Sequence, residues 1–155
     1  MSWYFKSDTA FRGRKVIDNN ILMLNPENFK LPDSAALRDY RFAQNIFQPK
    51  NQLQNYFSSN DAAFFVQQVK RIRSKKWNLN LAEVEVYDKL NAGKSPTIKS
   101  FNAYSLPVFS INKNYVIIIE GHYCGLACGG GEYILFKREE GNSWQAIRRF
   151  NQWEQ

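Results

Sequence analysis

The sequence predicts an α+β fold, with N-terminal helices packed on a C-terminal antiparallel β-sheet built as a meander. Three observations carry that reading. Apolar residues at three-to-four spacing are concentrated in residues 33–76. Alternating and β-branched segments fill 77–153. The later segments are joined by short Asn- and Gly-containing turns, which favour sequential antiparallel neighbours. Helices gathered before strands argue against a doubly wound sheet, in which the two alternate.

The chain has 155 residues, the length of a single domain. Within it, 1–32 reads as an arm or hairpin, 33–76 as the helical part and 77–153 as mainly antiparallel sheet. With 12 Phe, 8 Tyr and 4 Trp, the chain can bury enough area to exclude a disordered class. The formal charge of +7 favours acidic partners but does not bear on fold. No run of 18 apolar residues occurs, so no transmembrane helix is expected. Residues 1–14 lack an apolar stretch of signal-peptide length, so no export leader is expected in this chain.

Residues 1–14 read as an extended arm or first strand. Lys15, Val16 and Ile17 are separated from Ile21, Leu22, Met23 and Leu24 by Asp18, Asn19 and Asn20, a hairpin signal. Pro26 and Pro32 then punctuate a loop. Asp33 or Ser34 can cap a helix beginning near Ala35, whose stripe is Leu37, Tyr40, Ala43, Ile46 and Phe47, and which Pro49 ends. Residues 52–57 add a short helical turn. Ser58, Ser59, Asn60 and Asp61 form the clearest helix start, followed by the stripe Ala62, Phe65, Val66, Val69 and Ile72. Lys70, Arg71, Arg73, Lys75 and Lys76 fall in the last turn and just beyond it, where cations meet unpaired carbonyls.

Past Trp77 the period changes. Leu79 and Leu81 alternate, then Val84 and Val86 alternate against Glu83 and Glu85, one residue out of phase. The shift predicts a strand over 77–87 with a bulge near Ala82, or two short pieces. Residues 89–95 read as an exposed connection. Further strands are expected near 106–111, 115–120, 132–137 and 144–150. Asn112, Lys113 and Asn114 make one turn, and Glu139 to Asn142 another. The β-branched run over 115–120 fits a central strand buried on both faces.

The segment 120–132 reads as a rigid loop and as the centre of the molecule's function. It holds His122, the only histidine, with Cys124 and Cys128, the only cysteines, and Gly129, Gly130 and Gly131. The cysteines fit a disulfide, two buried thiols or a redox pair. A metal site is disfavoured, because the common zinc knuckle wants two residues between cysteines and here there are three. A thiol nucleophile would use Cys124 with His122 as base and Glu120 to orient the ring. Against it, residues two apart share a direction only on a strand, and the glycines point to a turning chain. The glycine run can present N–H groups as an anion nest, but it opens onto a strand and lacks the P-loop lysine. Its simpler purpose is positive φ and close packing around the cysteines. No cofactor motif is present.

The basic cluster before Trp77 has the composition of a nucleic-acid stripe. Its place at a helix end favours a solvated face, and Trp77 opens an apolar stretch that reads as core, so nucleic acid is the lesser reading. Glu83, Glu85 and Asp88 show no paired acid–base spacing.

The string Ser105-x-Pro107-x-Phe109-Ser110, the Asn-Lys turn, Cys124-Gly125-x-x-Cys128-Gly129-x-Gly131 and Gly141-x-x-Trp144 with a final Trp153 resembles a family of uncharacterised, Bacteroidetes-type bacterial proteins. Its members often carry lipoprotein or secretion leaders. The similarity extends upstream through 61–69, Gln68 and Trp77, and so spans about 60–153. The resemblance implies an extracytoplasmic α+β domain, periplasmic or cell-envelope associated, with Cys124 and Cys128 paired as a disulfide. It transfers no catalytic residue. The missing leader is the point of departure from the family.

Together these readings predict a non-catalytic binding domain for a protein partner, with Tyr104, His122, Tyr123 and Tyr133 as anchors around the 120–132 loop. One alternative is an immunity or inhibitor protein steered by its basic charge onto an acidic partner site. The other is the thiol enzyme. The sequence does not fix an oligomeric state.

Overall fold

The computed structural model describes residues 15–18, 24–32, 44–72, 84–87, 101–123 and 128–154. Among the described residues, seven strands form one sheet: β1 (Lys15–Asp18), β2 (Val84–Tyr87), β3 (Phe101–Tyr104), β4 (Val108–Phe109), β5 (Tyr115–Tyr123), β6 (Gly129–Arg138) and β7 (Trp144–Glu154). Their order is β2-β1-β3-β5-β6-β7, with β4 also pairing β5. From β3 to β7 every pairing is antiparallel, and β5, β6 and β7 are consecutive hairpins, the expected meander. The helix α1 (Ser59–Arg71) precedes this block in the chain, so the α+β class holds. No helix of the described residues is long and apolar enough to cross a membrane.

The pleat explains why β5 and β6 are central. Val116 and Ile118 point to one face with their partners Phe136 and Ile134, while Ile117 and Ile119 point to the other with Leu135 and Tyr133. Both sets are buried, as the unbroken apolar run predicts. The Ile117 face meets α1 through Phe65, whose ring lies edge-on to Phe57 at 4.9 Å and to Phe29 at 6.1 Å.

α1 begins where the sequence places it. The Ser58 hydroxyl accepts from the Asp61 N–H at 3.2 Å and an Asp61 carboxylate oxygen accepts from the Ser58 N–H at 3.0 Å, a reciprocal cap. The other Asp61 oxygen accepts from the Ile111 N–H at 3.0 Å, tying the helix start to the β4–β5 turn. Burial would raise the Asp61 pKa, but the N–H groups of Ile111 and Ser58 and the Ser58 hydroxyl outweigh it and hold the carboxyl below its ordinary value. Gln68 bonds the Phe109 backbone in both directions, at 2.7 and 3.1 Å. The helix is thus fixed to the sheet by polar groups as well as by its apolar stripe.

Several expectations need correction. Lys15–Asp18 is a strand, but its partners are β2 and β3, both parallel. The return arm of the expected hairpin falls mostly on 19–23, outside the described residues, and Leu24 is buried core outside any strand. Of the helix expected from Ala35 to Phe47, 33–43 lie outside the described residues, and 44–48 are turn. The cause is Asn45. Its side-chain oxygen takes the Phe47 N–H at 2.8 Å while its amide donates to the carbonyls of Glu27 and Lys30, an alternative to helical bonding. Ile46 and Phe47 are buried nonetheless. Of the strand expected over 77–87, only Val84–Tyr87 is described. β3 was not foreseen, and the strand expected over 106–111 shrinks to Val108–Phe109.

The expected turns are present. Asn112 accepts from the Asn114 N–H at 3.0 Å, and Lys113 takes the left-handed φ of 58° that closes the turn. Gly141 at φ 76° and Asn142 at φ 63° close the β6–β7 turn.

Candidate functional site

The segment 120–132, read from sequence as a loop, is mostly sheet. β5 runs on to Tyr123 and β6 starts at Gly129, with Gly121 opposite Gly131, His122 opposite Gly130 and Tyr123 opposite Gly129. Only 124–128 connect the strands. The glycines therefore serve a close approach within the sheet rather than a turn. A Cβ on Gly131 would lie 2.2 Å from Cζ2 of the Trp153 indole and 2.5 Å from the Glu120 carbonyl oxygen. A Cβ on Gly130 would lie 2.7 Å from the Trp153 carbonyl oxygen. At Gly130 and Gly131 the crowding is against Trp153 and the Glu120 backbone. Gly130 and Gly131 are flanked by both β5 and β7, so the backbone is extended there and the anion-nest conformation is not formed.

Past Ile118 the even-numbered face of β5 turns polar, with Glu120 and then His122. Register sets Tyr104 and Glu132 on either side of Glu120, and Asn102 and Gly130 on either side of His122. Cross-strand neighbours share a face at about 5 Å, so the pattern gathers one polar cluster at the open end of the sheet. A cleft of about 580 Å³ lies there, floored by the glycines of β6 and bordered by Glu120, His122, Cys128, Glu132, Gln152, Trp153 and Glu154. That volume is in the range of ligand-binding pockets.

The polar groups form a chain of contacts. The Tyr104 hydroxyl donates to Glu120 Oε1 at 2.9 Å. Arg149 Nη1 lies 3.7 Å from Glu120 Oε2 and donates to Glu132 Oε1. Gln152 Nε2 donates to Glu132 Oε2 at 3.1 Å. His122 Nδ1 is 3.0 Å from Asn102 Oδ1. The border is thus rich in acceptors and carries three carboxylates in a chain of net charge +7. Among the described residues, no group of three His, Cys, Asp or Glu side chains is arranged to hold a metal ion.

Of the anchors expected from sequence, His122 alone is both exposed and on the cleft. Tyr104 is 4% exposed and belongs to the core of the Ile118 face, touching the site only through its hydroxyl bond to Glu120. Tyr133 is 3% exposed on the opposite face, stacked on Phe150 at 5.5 Å. Burial raises its pKa, against the Asn28 amide that donates to its oxygen. Neither is an exposed anchor. Tyr133 alternates with Glu132 along β6, which turns its ring into the opposite core, whereas Tyr104 shares the face of Glu120 and is covered by the cluster around Ile118. Tyr123 is half-buried and stacks on Phe101 at 5.1 Å, on the face opposite His122. Cys128 borders the cleft and no described cysteine is a free thiol. Cys124 lies outside the described residues, as do Arg73, Lys75, Lys76, Trp77, Glu83 and Asp88.

Sequence reading missed Asn102, Arg149, Gln152 and Glu154. The available signal was the two-residue spacing of Glu120 and His122. With 115–123 a single strand paired to β6, Glu132 lies opposite Glu120. The contribution of β7 depends on register shifts between Gly131 and Tyr133 and between Leu135 and Phe136, which no local pattern announces.

Comparison of the chain with protein-family models, with curated proteins and with solved structures finds no match.

Proposed function

We propose that this chain is a non-catalytic binding domain for a protein partner, and that its working surface is the cleft at the open end of β5, β6 and β7. The observation that carries the reading is the cleft itself. Two carboxylates on paired strands, Glu120 and Glu132, are held in place by Tyr104, Gln152 and Arg149 beside the glycine-rich start of β6. Side chains positioned this way are pre-organised, which lowers the ordering cost of binding.

The reading includes an envelope or periplasmic setting, with Cys124 and Cys128 joined as a disulfide. Two observations support the bridge. No described cysteine is free, and the pairing of Tyr123 with Gly129 forces the chain to return within 124–128, a span short enough for the bond. A bridged pair leaves no thiolate for the enzyme alternative. The carboxylates bordering the cleft also turn the inhibitor alternative away from this face, since an acidic partner site would be repelled there.

The test is a two-dimensional ¹H–¹⁵N NMR titration of the full chain with short blocked peptides whose central residue is Arg, Lys, Asp, Gln or Trp. The expected result is saturable shifts confined to 120–132 and 152–154 and their strand neighbours, lost when Glu120 and Glu132 are both changed to Gln. Shifts centred elsewhere, or none with any peptide at millimolar concentration, would overturn the assignment.

A further inference from the structure

We infer that the ligand of this cleft is an arginine or lysine side chain of the partner, and that Arg149 is a plug occupying its place in the free protein. The inference rests on the binding-domain reading and names the ligand class of that same site. The protein already seats a guanidinium between Glu120 and Glu132, and it does so with a residue of the neighbouring strand.

The division of oxygens supports this. Tyr104 holds Glu120 Oε1 and Gln152 holds Glu132 Oε2. Arg149 Nη1 takes the two other oxygens, Glu120 Oε2 and Glu132 Oε1. The carboxylates are therefore positioned independently of the arginine, and the arginine sits at the point where the two face each other. Exposure is divided the same way. The Arg149 side chain is 50% exposed, against 21% for Glu120 and 16% for Glu132. The cation reaches the two carboxylates on a long, half-exposed stem, while the acids are held by Tyr104 and Gln152. An incoming guanidinium or ammonium then replaces one ion pair with another. Glu154 borders the same cleft and adds a third carboxylate, which suits a ligand group carrying only donors.

The experiment compares wild type, Arg149→Gln, Arg149→Lys and Arg148→Gln in NMR titrations with a blocked Gly-Arg-Gly peptide and its Gly-Gln-Gly counterpart. Arg148 is the control. It is the adjacent cation, but it reaches Gln52 and the Lys50 carbonyl instead, so Arg148→Gln removes the same charge without unplugging the site. An ion pair whose cation is half exposed is worth about 1 kcal/mol after solvent screening, so Arg149→Gln is expected to tighten the Arg peptide about fivefold. Arg149→Lys should fall between it and wild type, and Arg148→Gln should stay within about twofold of wild type.

No tightening in Arg149→Gln, or equal tightening in Arg148→Gln, would overturn the plug. So would an equal gain for the Gln peptide. The two readings fail separately. If the Glu120→Gln, Glu132→Gln double variant binds the Arg peptide like wild type, the cleft itself is the wrong site. If that variant loses binding while Arg149→Gln gains nothing, the cleft stands and only the plug falls.

Discussion

Changing Gly131 to alanine adds one methyl group at the point where three strands crowd together. Relative to the 3.4 Å of ordinary contact, the new Cβ would sit about 1.2 Å too close to Trp153 Cζ2, at 2.2 Å, and it would also sit 2.5 Å from the Glu120 carbonyl oxygen. The indole is half-buried and packs on the Tyr133 ring at 6.4 Å, so it can move only by giving up core contact. The carbonyl belongs to the backbone of β5 and yields less readily. Overpacking of this kind costs about 1–3 kcal/mol, and the backbone clash puts the expected loss near the upper end. At a slope of about 2 kcal/mol per M, a loss of about 3 kcal/mol lowers the urea midpoint by about 1.5 M, followed by far-UV circular dichroism. Combining the change with Trp153→Ala removes one clash and keeps the other. The cost of Gly131→Ala should fall by about 1 kcal/mol or more in that background without vanishing. A cost below about 0.5 kcal/mol in the wild-type background, or no coupling to Trp153, would refute the packing argument.

Gly141 is expected to respond differently, because a Cβ there meets open space and only its φ of 76° is unfavourable. Alanine should cost about 1 kcal/mol and asparagine should recover most of it, whereas asparagine at Gly131 recovers nothing. Asn51→Ala removes a buried amide that donates to the carbonyls of Asn45 and Ile46 and to Asn151 Oδ1, so thermal unfolding should report a loss of about 2–3 kcal/mol. Asp61→Asn should destabilise by about 1 kcal/mol at neutral pH. The native pKa of Asp61 is depressed, so its stabilisation is full above the ordinary carboxylate range and disappears as pH falls through the folded value. Wild type and variant should therefore converge in acid, and a gap that persists there would contradict the ionic cap. Without reductant, intact protein should show no thiol that can be alkylated, and a rapidly modified Cys128 would remove the bridge from the proposal.

The fold class was legible because its signals are local. The cap at Ser58 and Asp61, the stripe through Phe65 and Val69 and the Asn112 turn each act within a few residues. The first helix was misread at its end because Asn45 competes for the backbone bonds of its own segment and is held by Glu27 and Lys30. The partnership of β1 with β2 and β3 is long-range and leaves no mark in a four-residue strand. The candidate site failed in a more instructive way. Histidine, cysteine and glycine together read as a turning loop, which hides the period-two placement of Glu120 and His122 and makes the neighbouring tyrosines look exposed. In the sheet, the same alternation that faces Glu120 and His122 to the cleft buries Tyr133 on the other side. Gly131 is required by Trp153, a residue 22 positions later, and composition cannot reveal that kind of demand.

The site depends on one structural fact, that 120–123 and 129–132 continue the sheet instead of leaving it. Amide hydrogen exchange measured residue by residue tests this most directly. β6 is paired on both sides at Gly130 and Gly131, so their amides and those of β5 through Gly121 should exchange slowly, in step with Ile118 and Ile134. Fast exchange at Gly130 and Gly131 beside a protected Ile134 would mean a loop after all, and the cleft between Glu120 and Glu132 would lose its floor.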